Sequence, residues 1–268
     1  MGSFLKSNSR FERGSRQSSL PIDRFSDDFS NSILIEEKSA LSESPDSHWW
    51  VNSGAWLSAA LGIASTPSGN LDEINPWRVR YMRNNPRDTD DGLHPQNIFR
   101  LVETNIWNNF RQAMYFKINA LNQSLSPNRN ASNGLFLFNR YQTGDNLYYT
   151  GLRVDGAAVI KKKINGKYFT LAYKSVFSGA PYDRQINPIL LPKNTWLGLR
   201  SEVVTNPDQS VIIRFYVDIG KTGSWKLVLE AVDDGKQFGG APLLSAGYTG
   251  IRTDFMDVEF SDYKIEAI

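Results

Sequence analysis

The sequence predicts an all-β protein: an antiparallel two-sheet β-sandwich preceded by an extended N-terminal arm over residues 1–22. Three observations favour this class. Two dipeptides suited to two-residue hairpin turns, Asp155-Gly156 and Asn165-Gly166, separate runs of about eight residues rich in Tyr, Val, Ile and Thr. About twelve such runs follow one another between turn residues. No long amphipathic helical pattern interrupts them.

The first 22 residues are polar and basic, with many serines and with Lys6, Arg10, Arg13 and Arg16. They lack the apolar stretch of a signal peptide. Lys6 also stands where a myristoylation pattern requires Ser or Thr. We therefore expect a basic arm, and the compartment stays open between the cytoplasm, a virion and export by a non-standard route.

Residues 23–98 show weaker secondary-structure patterns than the hairpins do. Residues 23–31 predict a first strand anchored by two phenylalanines, and residues 32–48 predict a loop or a short helical turn. Residues 49–57 predict a second strand with a bulge at Gly54. Residues 66–98 combine prolines with many charges, which predicts an irregular polar insertion.

The remaining strands follow from alternation of apolar and polar residues. Besides the three strands of the meander at 146–174, strands are predicted at residues 99–103, 110–118, 134–141, 196–204, 210–218, 225–232 and 257–265. In the meander, Lys162 shares a face with Ile160 and Ile164, which predicts an inward lysine on an edge strand. The alternative is that the run of three lysines at 161–163 contacts a sulfated or uronic-acid ligand.

Composition excludes several classes of chemistry. The absence of cysteine excludes disulfides, thiolate nucleophiles, iron–sulfur centres and cysteine-based zinc sites. A net charge of +2 gives no global field that would attract nucleic acid, so we expect no nucleic-acid partner. No apolar run reaches the ~18 residues that a membrane span needs, so none is expected.

Three segments carry a resemblance to a known family. They are FSDDF at 25–29, NLYYTGLRVDGAAVIKKKINGKYFTLA at 146–172 and GIRTDFMDVEFSDYKIEAI at 250–268. Together they resemble the concanavalin A-like lectin/glucanase jelly rolls, close to the laminin-G-like modules of polysaccharide-active proteins. The resemblance covers residues 23–268, and this architecture carries binders, hydrolases, lyases and structural modules alike.

The resemblance implies two curved antiparallel sheets, with the closing strand beside the first strand and glycans lying on a concave face. It also implies a structural calcium ion near the joined termini, held by an aspartate of the last strand. Asp262 is the matching position, and Asp28 lies on the strand expected beside it. Calcium prefers such carboxylate oxygens together with backbone carbonyls.

Catalytic patterns of the family are incomplete in this chain. The E-x-D-x-x-E run of retaining glucanases does not occur. Arg100 and Glu103 are one residue too far apart for the lyase Arg-x-Glu strand, and there is no Gln-x-His. A lyase would have to use Arg100 as the cation, His94 as the base and Tyr115 or Tyr149 as the acid.

Glycan binding needs aromatic platforms with planar polar groups beside them. Arginines and tyrosines recur on the predicted strands, opposite to the apolar positions, and we expect them to line the concave face. The alternative is that they form the polar half of an ordinary sandwich face, with arginine stems covering apolar surface. The candidate ligand-binding residues are Arg111, Tyr115, Arg140, Tyr149, Arg153, Arg200, Arg214 and Tyr216.

The sequence therefore predicts a carbohydrate-binding jelly-roll module whose partner is a polysaccharide or glycan, and it favours a non-enzyme. One alternative is a polysaccharide lyase or glycoside hydrolase of the same fold. Another is a structural or decoration subunit of a virion or filament, which docks on identical or neighbouring subunits through residues 1–20.

Overall fold

A computed structural model describes residues 23–268, which form two antiparallel sheets packed face to face. The predicted arm at 1–22, and any contact it makes with another subunit, lies outside the described residues and stays a prediction. The strands are β1 (Arg24–Asp27), β2 (Ile33–Glu36), β3 (Trp49–Ser53), β4 (Trp56–Ala60), β5 (Ile63–Ser65), β6 (Arg100–Trp107), β7 (Phe110–Leu121), β8 (Gly134–Thr143), β9 (Asn146–Arg153), β10 (Ala157–Ile164), β11 (Lys167–Ser175), β12 (Trp196–Thr205), β13 (Val211–Ile219), β14 (Lys226–Asp233), β15 (Gly247–Thr253) and β16 (Met256–Ala267).

The sheets differ in size and composition. The large sheet has nine strands in the order β14-β13-β12-β7-β16-β5-β4-β2, with β1 also paired to β16. The small sheet has seven strands in the order β11-β10-β9-β8-β15-β6-β3. The predicted two-sheet sandwich is confirmed, as is the closing strand beside the first, because Asp27 pairs with Tyr263 across β1 and β16.

The central meander is also confirmed. Strands β9, β10 and β11 run antiparallel around the turns at Asp155-Gly156 and Asn165-Gly166. Asn165-Gly166 forms the predicted two-residue turn, with φ of 48° and 77°. The predicted two-residue turn at Asp155-Gly156 is wrong, because the register leaves three residues, Val154 to Gly156, between the strands, and of these only Gly156 has a positive φ, 82°.

The segment around Gly54 corrects one prediction, because residues 49–57 form two strands in different sheets. Strand β3 belongs to the small sheet and β4 to the large sheet. Gly54 turns the chain between them with φ 103°, and a Cβ there would lie 2.7 Å from Cδ2 of Phe99. The glycine is therefore a corner between sheets rather than a bulge within one strand.

The segment at 66–98 was predicted to be irregular, but it contains two short helices, α1 (Pro76–Asn84) and α2 (Pro86–Thr89), and a 3-10 turn at Pro95–Ile98. Neither helix among residues 23–268 is long and apolar enough to cross a membrane. The short helical turn predicted within residues 32–48 is found as a 3-10 turn at Leu41–Glu43, whereas β2 in the same stretch was not predicted. Sequence patterning misses β2 and the two helices because they are only four to nine residues long.

A buried carboxylate ties the helical segment to the sandwich. Asp257 of β16 accepts hydrogen bonds from the backbone N–H of Gly69 at 2.8 Å and from Gln96 at 2.9 Å. The same carboxylate accepts a bond from Asn122 at 3.1 Å. Because one side chain satisfies donors from three loops, the segment sits on the sandwich as a fixed element.

The prediction that Lys162 faces inward is confirmed, but the predicted edge strand is wrong, since β10 lies between β9 and β11. Lys162 is fully buried between the sheets. Its Nζ lies 2.9 Å from Oδ2 of Asp233 and donates to the carbonyls of Gly240 and Ala241 at 2.8 Å and 2.7 Å. Tyr148 donates a further bond to the same carboxylate at 2.6 Å, so the charge is fully compensated.

Candidate functional site

Two open grooves lie on the outer faces of the sandwich, one on each sheet. The small-sheet groove has a volume of about 420 Å³. The large-sheet groove is about twice as large, at about 890 Å³. The small-sheet groove is defined by Arg100, Tyr149, Lys161, Tyr168, Arg252 and Asp254. The large-sheet groove is defined by Arg111, Tyr115, Arg200, Lys221, Trp225 and Asp262.

Strand register brings the residues of the small-sheet groove together. Arg252 on β15 stands opposite Arg100 on β6, and Tyr149 on β9 stands opposite Lys161 on β10. Successive side chains of a strand point to opposite faces, so these four occupy the outer face while their neighbours enter the core. Two arginines, a lysine and a tyrosine from four strands therefore share one surface.

The cations of this groove are incompletely neutralised. Nε of Arg252 lies 2.7 Å from Oδ1 of Asp254, which is almost fully buried. Neither Arg100 nor Lys161 forms an ion pair or a side-chain hydrogen bond with any residue of 23–268. Lys161 instead lies 5.8 Å from the centre of the Tyr168 ring. Two positive charges thus remain open to a ligand.

The pKa values of the two tyrosines in the groove depart from the ordinary phenol value in opposite directions. Burial raises the pKa of Tyr149 to about 12, although Arg252 opposes this shift. Burial acts in the same direction on Tyr168, but the charges of Arg252 and Lys163 outweigh it and lower the pKa of Tyr168 below its ordinary value. Nη1 of Arg252 lies 3.5 Å from the Tyr168 hydroxyl. The groove therefore holds one firmly protonated phenol and one more acidic phenol.

The outer face of the large sheet carries a row of alternating charges, which we call the ion-pair ladder. It runs across five strands in the order Glu266, Arg111, Glu202, Arg214, Glu230. Successive nitrogen–oxygen distances are 2.8, 2.7, 3.9 and 2.6 Å. The arginines of this row are therefore neutralised by the chain itself.

Beside the ladder lies an aromatic platform built over a glycine. Trp225 packs on Gly198, where a Cβ would lie 2.8 Å from Cη2 of the indole. The guanidinium of Arg200 stacks 4.2 Å from the Trp225 ring. The hydroxyl of Tyr115 donates to Asp218 at 2.8 Å, and burial together with this bond raises the pKa of Tyr115 above its ordinary value.

The eight predicted ligand-binding residues do not share one face, which corrects that expectation. Tyr149 and Arg153 lie on β9 in the small sheet. Arg140 is fully buried and donates to the carbonyls of Asn108 and Leu243 at 3.0 Å and 2.8 Å. Arg140 therefore fixes loops in the interior. The other five lie on the outer face of the large sheet: Arg111, Tyr115, Arg200, Arg214 and Tyr216.

The predicted lyase set is not assembled either. Tyr115 belongs to the large sheet and Arg100 to the small sheet, so they line opposite faces. His94 has both ring nitrogens occupied, by Asp90 at 2.8 Å and Asn70 at 2.7 Å. Glu103 is buried between the sheets and bonds to the indole N–H of Trp107 at 2.6 Å. Of this set, only Arg100 and Tyr149 meet in one groove.

The two aspartates expected to hold calcium stand near one another but do not fit the ion. Asp28 directly follows β1, which pairs with the strand of Asp262, and the charge of Asp262 acts on it. Lys221, however, lies 2.5 Å from Oδ2 of Asp262 and already neutralises it. Within residues 23–268, no three carboxylate or histidine side chains converge as a metal site. Calcium favours more oxygen ligands than this pair supplies.

Sequence reasoning missed the residues that complete the two grooves. The sequence pattern assigns Tyr168 and Trp225 only to strands, and Arg252 and Asp254 only to the ending that resembles the closing strand of the family. The available signal was the Arg-x-Asp spacing at 252–254, which places both side chains on one face of a strand. Nothing local identifies Trp225, because its place depends on Gly198 of another strand.

Neither a protein-family model nor a curated protein matches this sequence. Among solved structures, the chain is similar to carbohydrate-binding module CBM66 from Bacillus subtilis, at 14% identity and a TM-score of 0.49 over 82% of this chain and 96% of that one. It is similar to a lichenase from a mouse hindgut metagenome, at 8% identity and a TM-score of 0.49 over 92% and 100%.

A third similar structure is the GH43 protein BlXynB from Bacillus licheniformis, at 12% identity and a TM-score of 0.46. This likeness covers 91% of the present chain but 39% of that protein, so the chain spans about two fifths of its length. Because one fold hosts many functions, we argue function from the residues of this chain alone.

Proposed function

We propose that this domain binds an acidic polysaccharide in the small-sheet groove. The observation that carries the proposal is the cluster of Arg100, Lys161 and Arg252 around two tyrosines, with a single bonded counter-charge, Asp254. Arginine binds carboxylate and sulfate groups through paired N–H donors, and lysine adds a compact charge. A sugar ring would pack on the exposed ring of Tyr168, which itself rests against the buried ring of Tyr149.

Because Arg100 has no ion-pair or hydrogen-bond partner among residues 23–268, its substitution is the most direct test of glycan binding in this groove. Replacing it in Arg100→Gln breaks no hydrogen bond within residues 23–268, so we expect the fold to be unaffected. Loss of a charged hydrogen bond is expected to weaken binding by about 10-fold to 100-fold. A glycan array that includes uronic-acid and sulfated polysaccharides identifies the ligand, and titration calorimetry then measures the affinity of each variant.

The matched control is Arg83→Gln, which removes the same charge from an exposed position on α1 outside both grooves. We expect it to bind as the unaltered protein does. Equal affinity of Arg100→Gln and Arg83→Gln for every acidic glycan that binds would contradict the proposal, and so would binding to neutral glycans alone.

A second candidate function is favoured by the two phenols that meet in this groove, whose ring centres lie 6.0 Å apart, with Nη1 of Arg252 3.5 Å from the Tyr168 hydroxyl. We infer that Tyr168 and Tyr149 are placed to act as base and acid in a β-elimination on a uronic-acid polymer. The Tyr168 phenolate would take the proton next to the carboxylate, and the electron pair would form the carbon–carbon double bond. The departing glycosidic oxygen would receive the proton of Tyr149, while Arg100 and Arg252 would neutralise the carboxylate.

Ultraviolet absorbance of the new unsaturated ends tests this second candidate. The base must be ionised, so the rate is expected to rise with pH and to level off below the ordinary phenol pKa of about 10. Tyr168→Phe is expected to abolish the product while leaving binding within about twofold, since the ring is retained. Binding without any unsaturated product would establish the binding function and exclude the elimination.

A further inference from the structure

The large-sheet groove holds cations that the ion-pair ladder does not neutralise. Arg111 is paired with Glu202 and Glu266, and Lys221 is paired with Asp262. Three further cations line the groove without an ion pair to any residue of 23–268: Arg24, Arg200 and Lys264. Of these three, Arg200 contacts the aromatic platform, with its guanidinium 4.2 Å from the Trp225 ring centre, so we expect an anion to bind there.

The guanidinium of Arg200 is held in place but left without a hydrogen-bond partner. It stacks 4.2 Å from the Trp225 ring and 6.0 Å from the Tyr216 ring. Its Nε is shielded from water and accepted by no group of the described residues. A shielded, unpaired charge costs free energy, and burial lowers the pKa of Arg200 accordingly. An anion at its terminal nitrogens would offset that cost.

No carboxylate of residues 23–268 pairs with Arg200 to supply the missing negative charge. The described chain enters beside this groove at Arg24. The segment that precedes it contains Lys6, Arg10, Arg13 and Arg16 against Glu12 alone. Residues of the same sign as the groove do not complement it. Charge complementarity therefore favours an external anion over the N-terminal segment as the occupant.

We propose that the large-sheet groove is a second binding site, which takes the carboxylate or sulfate of an acidic sugar on Arg200 and packs the sugar ring against Trp225. The support is the combination of an open groove of about 890 Å³, a fixed unpaired arginine and an aromatic platform made possible by Gly198. Aromatic surface beside a few convergent polar groups is typical of ligand sites.

If the small-sheet groove also binds an acidic glycan, as the proposed function states, the domain has two glycan-binding sites. The two grooves lie on the outer faces of opposite sheets, so a ligand in one does not block the other. A single domain would then hold two glycan chains and bridge them. Linked sites raise the apparent affinity for a long polymer above that for a short oligosaccharide.

The test uses the full chain with a tetragalacturonate and with a heparin-derived tetrasaccharide as probes. Calorimetry gives the number of sites, and nuclear magnetic resonance follows the Trp225 indole N–H, which is assigned by its loss in Trp225→Phe. We expect two sites per chain and a moving Trp225 signal. Arg200→Gln is expected to abolish binding in the large-sheet groove, so that the Trp225 signal no longer shifts on titration. Arg100→Gln is expected to abolish binding in the small-sheet groove and to leave the shift of the Trp225 signal unchanged.

The possible results test the large-sheet groove and the small-sheet groove separately. A Trp225 signal that moves equally in Arg200→Gln and in the Arg83→Gln control would overturn the second site. Movement caused by inorganic sulfate but by neither tetrasaccharide would also overturn it, because the groove would then lack sugar recognition. A moving Trp225 signal together with no effect of Arg100→Gln would leave the second site standing and contradict the proposed function instead.

Bridging has its own readout. Long polygalacturonate or heparin is expected to precipitate with the unaltered chain and to stay soluble with either Arg100→Gln or Arg200→Gln. Precipitation that persists in both single variants would contradict a bridge built from these two grooves.

Discussion

The two outer faces of the sandwich carry arginines on alternating strand positions, yet they use them differently. On the large sheet, Arg111 and Arg214 alternate with three glutamates in the ion-pair ladder. On the small sheet, Arg100 stands directly opposite Arg252, and no acidic residue separates them in that row. Like charges directly opposite one another destabilise a sheet. The ladder therefore pairs its arginines with glutamates, whereas Arg100 in the small-sheet groove has no ion-pair partner among residues 23–268, as Arg200 beside the ladder has none.

Side chains that lower the stability of the fold are expected mainly at functional sites, and other interactions in the protein compensate for them. Four substitutions test the contrast between paired and open charges, and they are ordered here by the size of the effect expected.

The most completely paired charge is Lys162, so breaking its ion pair should have the largest effect. Lys162→Met leaves the Asp233 carboxylate buried without its cation, and we expect it to lower the free energy of unfolding by about 3–5 kcal/mol. Urea denaturation measures the change. The double variant Lys162→Met with Asp233→Leu should lose less than the two single variants together, since no charge is left alone. Additive losses would mean that the two groups are not coupled.

Asp254 is the one bonded counter-charge of the small-sheet groove, and its removal should act on stability and on binding in opposite directions. Asp254→Asn keeps an oxygen for Nε of Arg252 but removes a buried charge, so we expect a loss of about 1–2 kcal/mol in unfolding free energy. A nearby negative charge is worth ~1 kcal/mol, so affinity for an acidic glycan should rise about fivefold. A fall in that affinity would contradict an anion site there.

The ladder has its centre at Glu202, which accepts from Arg111 at 2.7 Å and from Tyr216 at 3.0 Å. Glu202→Gln is expected to cost about 1 kcal/mol in thermal or urea unfolding, because both donors lose a charged partner. Binding in the small-sheet groove should stay unchanged, since that groove lies on the other sheet. A large loss of binding there would show that the two faces are coupled.

The smallest effect is expected at Asp262. Burial tends to raise the pKa of Asp262, but Lys221 and Ser261 outweigh it and hold that pKa below its ordinary value. The stabilisation is therefore present above the ordinary carboxyl pKa of about 4 and lost as pH falls through the lower folded value. Asp262→Asn should cost about 0.5 kcal/mol or less near neutral pH, because this pair is partly exposed.

The same position tests the calcium expectation. Because Lys221 already neutralises Asp262, neither added calcium nor a chelator should change the midpoint of thermal unfolding. A rise of that midpoint with calcium that Asp262→Asn removes would show that the ion displaces Lys221.

The sequence by itself determined the fold class, the central meander and the strands that follow it. These elements depend on local information: apolar alternation within a strand, and turn residues such as Asn165-Gly166, both of which adopt positive φ. The closing strand beside the first was implied by family resemblance and is found at β16 and β1. Short elements such as β2, β5 and the two helices were missed because three to nine residues give too little pattern.

The tertiary structure decided which charged residues meet. Arg111 and Arg100 look alike in the sequence, but strand order places one among glutamates and the other opposite Arg252. Lys162 looked like an edge lysine because its partner, Asp233, lies 71 positions further along the chain (233 − 162 = 71) on a strand of the other sheet. Alternation fixes the face on which a side chain lies, whereas its partners depend on the register of strands that are distant in sequence.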